Sequence, residues 1–190
     1  KIISGDNIFF EESEGGVTFS GGEPLLHPEM LKELLKTCGE EGIHRAVDTS
    51  GFVKWEILAE VAPHIDLFLY DIKHMNSGIH KAFTGVPNDL ILSNLIALAQ
   101  MGSKIIIRIP LVEGVNADKE NMEETAAFIA SLANETKQVN ILPYHSIAAR
   151  KYEKLGERYN EGLMKEPSKE RIAESIEIFA RYGITATVGG

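Results

Sequence analysis

An α/β fold built on parallel strands is what the sequence predicts, and three observations predict it. Strand-like and helix-like segments alternate along nearly the whole chain, and repeated alternation of that kind demands helical crossovers between parallel strands. Polar residues gather at the C-terminal ends of the strand-like runs, the rim on which parallel α/β folds build their sites. No repeat, low-complexity tract or long linker interrupts the alternation, so residues 1–190 read as a single domain.

Taken in order, Val17 to Ser20 alternates apolar and polar residues as a half-buried strand does. Pro28 to Glu40 places Leu31, Leu34, Leu35 and Cys38 at helical spacing, with Gly39 and Gly42 closing the helix. Ala46 to Thr49 reads as a short strand, and Trp55 to Ala62 as a helix stopped by Pro63. Leu67 to Ile72 is an apolar strand with Asp71 near its end and Lys73 just beyond; two positions apart on a strand, those two side chains should share a face. Asp89 to Met101 reads as a helix ended by Gly102, and Lys104 to Leu111 as a buried strand centred on Ile105, Ile106 and Ile107. A helix capped by Asp118 runs to Leu132, and a strand from Gln138 to Leu142 ends in Pro143. Ser168 caps a helix that runs to Tyr182 and stops at Gly183; Ile184 to Val188 is the last strand. The charged stretch from Arg150 to Pro167 reads as a surface excursion.

Composition narrows the partners. The chain has 190 residues, 44% hydrophobic and 25% charged, with a net charge of -9. An acidic balance argues against nucleic acid, whose phosphates need a basic face, and against an anionic membrane surface. The longest apolar stretches are strand-sized, too short to cross a bilayer as a helix. The single cysteine, Cys38, excludes an internal disulfide and fits a reducing, cytoplasmic compartment. On an apolar helix face, it reads as core.

The run Gly15-Gly16-Val17-Thr18-Phe19-Ser20-Gly21-Gly22-Glu23-Pro24 is the most informative stretch. Gly21 and Gly22 let backbone approach a ligand closely, and Glu23 offers an anion beside it, a seat for an ammonium group. Further along the rim come Asp48-Thr49-Ser50, Asp71 with Lys73 and His74, Arg108, and Tyr144-His145. Taken singly, each has an ordinary structural reading: Asp48 as a turn-former, Asp71 with Lys73 as a surface ion pair, His145 as a hydrogen-bonded structural histidine. Together they point to one pocket. From these residues alone, a divalent-metal hydrolase using Asp48, Asp71 and His145 and a Schiff-base lyase using Lys73 both remain open.

The motif set resembles that of radical S-adenosylmethionine enzymes, specifically the activating enzymes of glycyl radical enzymes of the pyruvate formate-lyase type. The residues that carry the resemblance are Phe9-Phe10-Glu11-Glu12-Ser13 running into the Gly-Gly-Glu-Pro stretch, Val47 to Phe52, Tyr70 to Met75, Ile107 to Pro110 and Leu142 to His145. The resemblance implies a partial (β/α)6 TIM-like barrel of parallel strands. It implies that Gly21, Gly22 and Glu23 receive the methionyl ammonium of S-adenosylmethionine, and that Asp71, Lys73 and His145 contact its carboxylate and ribose, with Arg108 in the same pocket. It also implies a monovalent cation held by Asp48, Thr49 and Asp71. The partners it implies are a glycyl radical enzyme such as pyruvate formate-lyase and an electron donor such as flavodoxin or ferredoxin. The implied reaction makes a 5′-deoxyadenosyl radical and takes a hydrogen from a glycine of the partner.

One departure is large. These enzymes hold a [4Fe-4S] cluster in a CxxxCxxC loop, and a cluster needs several thiolates, where this chain has only Cys38. The expectation is therefore an N-terminally truncated domain, lacking the first strand and the cluster loop and inactive by itself.

Overall fold

The computed structural model describes residues 15–133, 137–145 and 164–189. They form a six-stranded sheet in the order β1-β2-β3-β4-β5-β6. The strands are β1 (Gly16–Phe19), β2 (His44–Thr49), β3 (Leu67–Asp71), β4 (Ile105–Leu111), β5 (Gln138–Pro143) and β6 (Thr185–Val188). The registers of β1 on β2, β2 on β3 and β5 on β6 are all parallel. The helices are α1 (Pro28–Glu40), α2 (Trp55–Val61), α3 (Ser77–Thr84), α4 (Asp89–Gln100), α5 (Lys119–Ser131) and α6 (Lys169–Arg181). The expected α/β class and its strand-helix alternation are thus present. The chain packs as two compact units, one of residues up to Asp71 with Asp89–Ile106, the other of Ile72–Asn88 with residues from Ile107 onward.

In the first unit, α1 begins on Pro28, whose fixed φ suits the first helical turn. Leu31, Leu35 and Cys38 form its buried stripe. Each fully buried leucine contributes about 1.5–3 kcal/mol. The helix has the expected bounds, with Gly39 in its last turn; Gly42, at φ +72°, follows it. Helix α2 ends at Val61, one residue early, and Pro63 sits in a single 3-10 turn, Ala62–His64. Val47, Phe68 and Tyr70 on the sheet are buried, as are Leu58 of α2 and Leu95 and Leu98 of α4.

In the second unit, β4 from Ile107 alternates buried Ile107, Ile109 and Leu111 with half-buried Arg108 and Pro110. Asp118 caps α5 by accepting from the Asn121 amide at 2.9 Å, and Ser168 caps α6 by accepting from Arg171 at 3.1 Å, as the sequence predicts. An ion pair between Arg181 and Glu123 joins these two helices. Met122, Ala126, Ile129, Ile178 and Phe179 on these helices are buried, as are Val139 and Ile141 of β5. Helix α3 is an element the sequence reading passed over. Its signals are Asn76, whose side chain accepts from Ile79 at 3.0 Å, and Gly85 at φ +85°. Most of the Arg150–Pro167 excursion lies outside the described residues; its end returns as an antiparallel bridge between Lys165 and Glu113.

The strand assignment stops short of Lys73. Strand β3 ends at Asp71. The Ile72 amide still donates to the Arg108 carbonyl of β4 at 2.9 Å, and the Lys73 carbonyl is then taken at 2.7 Å by the side chain of Asn116.

Candidate functional site

The first unit carries the glycine-carboxylate run at the C-terminal end of β1. Gly21 and Gly22 have φ of +87° and +48°, a region costly for side-chain-bearing residues. A Cβ built on either would meet nothing within 4 Å. Glycine is therefore set here by backbone conformation, and it leaves open space beside the chain.

Glu23 follows, and its carboxylate bridges two strand ends. Oε1 accepts from the Leu25 amide at 3.3 Å and the Thr49 hydroxyl at 2.7 Å. Oε2 accepts from the Ser50 amide at 3.0 Å and the Ser50 hydroxyl at 2.7 Å. All of these donors are neutral, so they solvate the charge without cancelling it. The charge is felt nearby: Tyr70, mainly through burial and also through Glu23, has its phenol pushed well above the usual range.

The turn after β2 is pinned from below as well. Gly51 has φ +70°, and a Cβ there would stand 1.7 Å from the Tyr70 hydroxyl, which itself donates to the Ile91 carbonyl at 2.7 Å. Asn94 of α4, 2% exposed, donates to the carbonyls of Gly51 at 2.9 Å and Val53 at 2.8 Å. Asn94 is a residue the sequence reading missed; its signal was a lone amide in the apolar run Leu90-Ile91-Leu92-Ser93-Asn94-Leu95-Ile96.

Asp48 and Asp71 fall on one face of this unit's sheet. Asp48 pairs with Leu69 in the β2–β3 register, and Asp71 lies two residues beyond Leu69, hence on the same side. Thr49 pairs with buried Tyr70 on the opposite face. Its hydroxyl donates to Glu23 at 2.7 Å and accepts from the Gly51 amide at 2.9 Å. With one donated and one accepted bond, the hydroxyl keeps a single lone pair for a cation. No group of three or more His, Cys, Asp or Glu gathers as a metal site among the described residues.

The second unit carries Lys73, Arg108 and His145. Arg108 stands on the half-buried face of β4. His145 is exposed, with Nδ1 3.9 Å from Glu166 Oε1. Buried Asn88, Asn116 and Asn121 hold the loop that carries Lys73. None of these asparagines stood out in the sequence, where each lies in or next to an ordinary polar connection. His74, also buried in this loop, accepts from the Asn76 amide at 3.0 Å, and burial pulls its pKa below the ordinary histidine value.

Comparison with known proteins assigns this arrangement to a group. The Radical SAM superfamily profile matches residues 7–129. The trans-4-hydroxy-L-proline dehydratase activating enzyme of Clostridioides difficile is 42% identical over 193 residues, covering 100% of this chain and 63% of that protein. The choline trimethylamine-lyase activating enzyme of Oleidesulfovibrio alaskensis is 40% identical, covering 84% of this chain and 52% of that protein. The chain thus spans roughly half to two thirds of the length of these relatives. Among solved structures, a domain of pyruvate-formate lyase-activating enzyme from Bacteroides vulgatus superposes with a TM-score of 0.80 at 45% identity, covering 93% of this chain and 99% of that domain. A radical SAM methyltransferase from Sphaerobacter thermophilus, at 20% identity and a TM-score of 0.72, shares the fold.

Proposed function

This chain belongs to the radical SAM superfamily, and we propose that it is the cofactor-binding part of an enzyme that activates a glycyl radical enzyme. One observation carries the reading: the similarity to activating enzymes runs the whole length of the chain at 42% identity, and the Gly21-Gly22-Glu23 turn is open where that family's cofactor would sit.

The cofactors of the superfamily are S-adenosylmethionine and a [4Fe-4S] cluster, and the residues present fit one and not the other. S-adenosylmethionine carries an ammonium, and Glu23 offers a charge that its neutral donors among the described residues do not cancel, with the long 3.3 Å bond from Leu25 the one an ammonium would displace, beside two glycines with open space above them. The cluster has no seat here. Cys38 is the single thiol of the 190 residues, it is buried in α1, and burial pushes its pKa up, away from the thiolate a cluster requires. We place the cluster's ligands in a segment outside these residues, and expect the 190-residue chain alone to be inactive.

When bound, the cofactor pair supplies the radical that removes a hydrogen atom. The part of this chain is to bind and orient. Gly21, Gly22 and Glu23 receive the ammonium end. Asp71, Lys73, Arg108 and His145 serve its carboxylate and ribose. A monovalent cation is held by Asp48, Asp71 and Thr49, through its hydroxyl or its carbonyl, since alkali cations seek oxygen ligands. The partner is a glycyl radical enzyme, with pyruvate formate-lyase the first to try and the dehydratases and lyases named by the relatives next. Flavodoxin or ferredoxin is the electron donor, and the cytoplasm the compartment. The whole chain acts as one partial-barrel domain.

The experiment is calorimetric titration of S-adenosylmethionine into the cluster-loaded enzyme. Lys73→Ala and Asp71→Ala should each weaken binding by about one to two decades, the value of a lost charge-assisted contact. Unchanged affinity in both variants removes these residues from the site.

A further inference from the structure

After β3 the chain leaves the sheet, and the loop Lys73-His74-Met75-Asn76 must satisfy its backbone without a strand partner. Three buried asparagines do this, each 2–3% exposed. Asn116 donates from Nδ2 to the carbonyls of Lys73 and Pro110, both at 2.7 Å, and its Oδ1 accepts from the Val112 amide at 2.8 Å. Asn121 accepts from the Met75 amide at 2.9 Å and donates to the Asn116 carbonyl at 2.9 Å. Asn88 donates to the carbonyls of His74 at 2.8 Å and Met75 at 2.7 Å. The bonds close a ring: Lys73 to Asn116, Asn116 to Asn121, Asn121 to Met75, and back along the chain.

We propose that Asn116 is a positioning residue for Lys73, the centre of an asparagine frame that fixes where the lysine's Cα stands. The inference rests on the reading that Lys73 contacts the cofactor. Lysine reaches its target on a flexible four-carbon stem, so its own side chain cannot define a position. The backbone beneath it must, and a misplacement of about 1 Å can cost on the order of a hundredfold. Asparagine suits the task because one amide offers two donors and an acceptor from a single rigid plane. Asn116 uses all three on the ends of the β3 and β4 connections. Anchored by Asn121 near the N-terminus of α5, the frame ties the loop to a packed helix that carries buried Met122 beside it and Ala126 one turn on.

The test is a double-mutant cycle on cofactor affinity in the full-length, cluster-loaded enzyme: Asn116→Ala, Lys73→Ala and the pair, each titrated with S-adenosylmethionine. Asn116→Ala should weaken binding about tenfold in the wild-type background and have no further effect once Lys73 is gone, because a residue acting through another loses its effect with it. Hydrogen exchange at the Met75 and Asn76 amides, followed without cofactor, should quicken in Asn116→Ala. Equal loss of affinity with and without Lys73 overturns the proposal, since Asn116 then acts elsewhere. Faster exchange with wild-type affinity also overturns it and leaves a purely structural frame. Failure of the underlying reading looks different: Lys73→Ala alone would then bind S-adenosylmethionine with wild-type affinity. Should Asn116→Ala not fold, Asn116→Ser, which keeps a donor, enters the same cycle.

Discussion

Two carboxylates tie strands together at opposite ends of the first unit, and they do it in opposite electrostatic ways. Asp66, ahead of β3, grips Arg45 of β2: Oδ2 accepts from Nε at 2.7 Å and from the Arg45 amide at 2.8 Å, and Oδ1 accepts from Nη2 at 2.8 Å. The guanidinium, mostly by these hydrogen bonds, holds the Asp66 carboxyl below its ordinary pKa against the opposing pull of burial. Charge meets charge, and nothing is left over to act on a ligand. Glu23, beyond the C-terminal end of β1, grips Thr49 and Ser50, its donors among the described residues being neutral, and its charge reaches Tyr70. In parallel α/β folds the N-terminal ends of strands serve stability and the C-terminal ends serve function. The two carboxylates show the physical form of that division: a neutralised clamp at one end, an unneutralised one at the other.

The largest expected effect lies under the unneutralised clamp. Gly51→Ala would force a Cβ against the Tyr70 hydroxyl at a backbone angle of φ +70°. The left-handed conformation and the overpacking together should cost roughly 2–5 kcal/mol, read as a lower denaturation midpoint in urea. Wild-type stability for this variant would mean that the turn after β2 is not pinned, and the contrast between the two ends would lose its footing.

Next comes the neutralised clamp. Asp66→Asn should cost about 1.5–3 kcal/mol, because a half-buried arginine loses its charged partner. The sign with pH follows from the depressed carboxyl. Its stabilisation is complete above the unfolded pKa, near 3.8, and is lost as pH falls through the folded value. The stability gap between wild type and Asp66→Asn should therefore be flat from neutral pH down to about 5 and shrink below about 4. Cofactor affinity should not move. A gap that widens in acid, or a shift in affinity, contradicts the division of labour.

How much of this was legible beforehand depended on what kind of signal each part leaves in sequence. The alternation of apolar runs placed α1 with the bounds seen, and the caps Asp118 and Ser168 were visible because a cap is a local event, one residue against the next turn. Gly21, Gly22, Glu23 and Asp48 lay in strand-end motifs and could be picked out. The bonds that give them meaning could not: Glu23 to Thr49 spans 26 residues and Asn116 to Lys73 spans 43. A buried asparagine that satisfies distant carbonyls looks, in sequence, like any loop residue. The end of β3 at Asp71 was hidden for the same reason, since the bond that takes the Lys73 carbonyl comes from Asn116, far along the chain.

The smallest effect on stability should come from Ser50→Ala, and it sharpens the comparison most. The Ser50 hydroxyl donates to Glu23 Oε2 at 2.7 Å and receives only a long bond from the Phe52 amide at 3.4 Å. Losing it should cost about 0.5–1.5 kcal/mol, while Glu23 keeps its charge and gains an open lone pair. Glu23→Gln does the reverse: it keeps the shape and removes the charge, and its amide would point N–H groups at the Ser50 amide. If Glu23 serves an ammonium through its unneutralised charge, Ser50→Ala should leave S-adenosylmethionine affinity within about threefold of wild type, and Glu23→Gln should lower it about tenfold or more, roughly 1.4 kcal/mol or above. Equal losses in the two variants would make Glu23 a clamp of the same kind as Asp66, there for the turn alone. Equal and negligible losses would take the ammonium away from Glu23 altogether and leave Gly21 and Gly22 as the part of the run that matters.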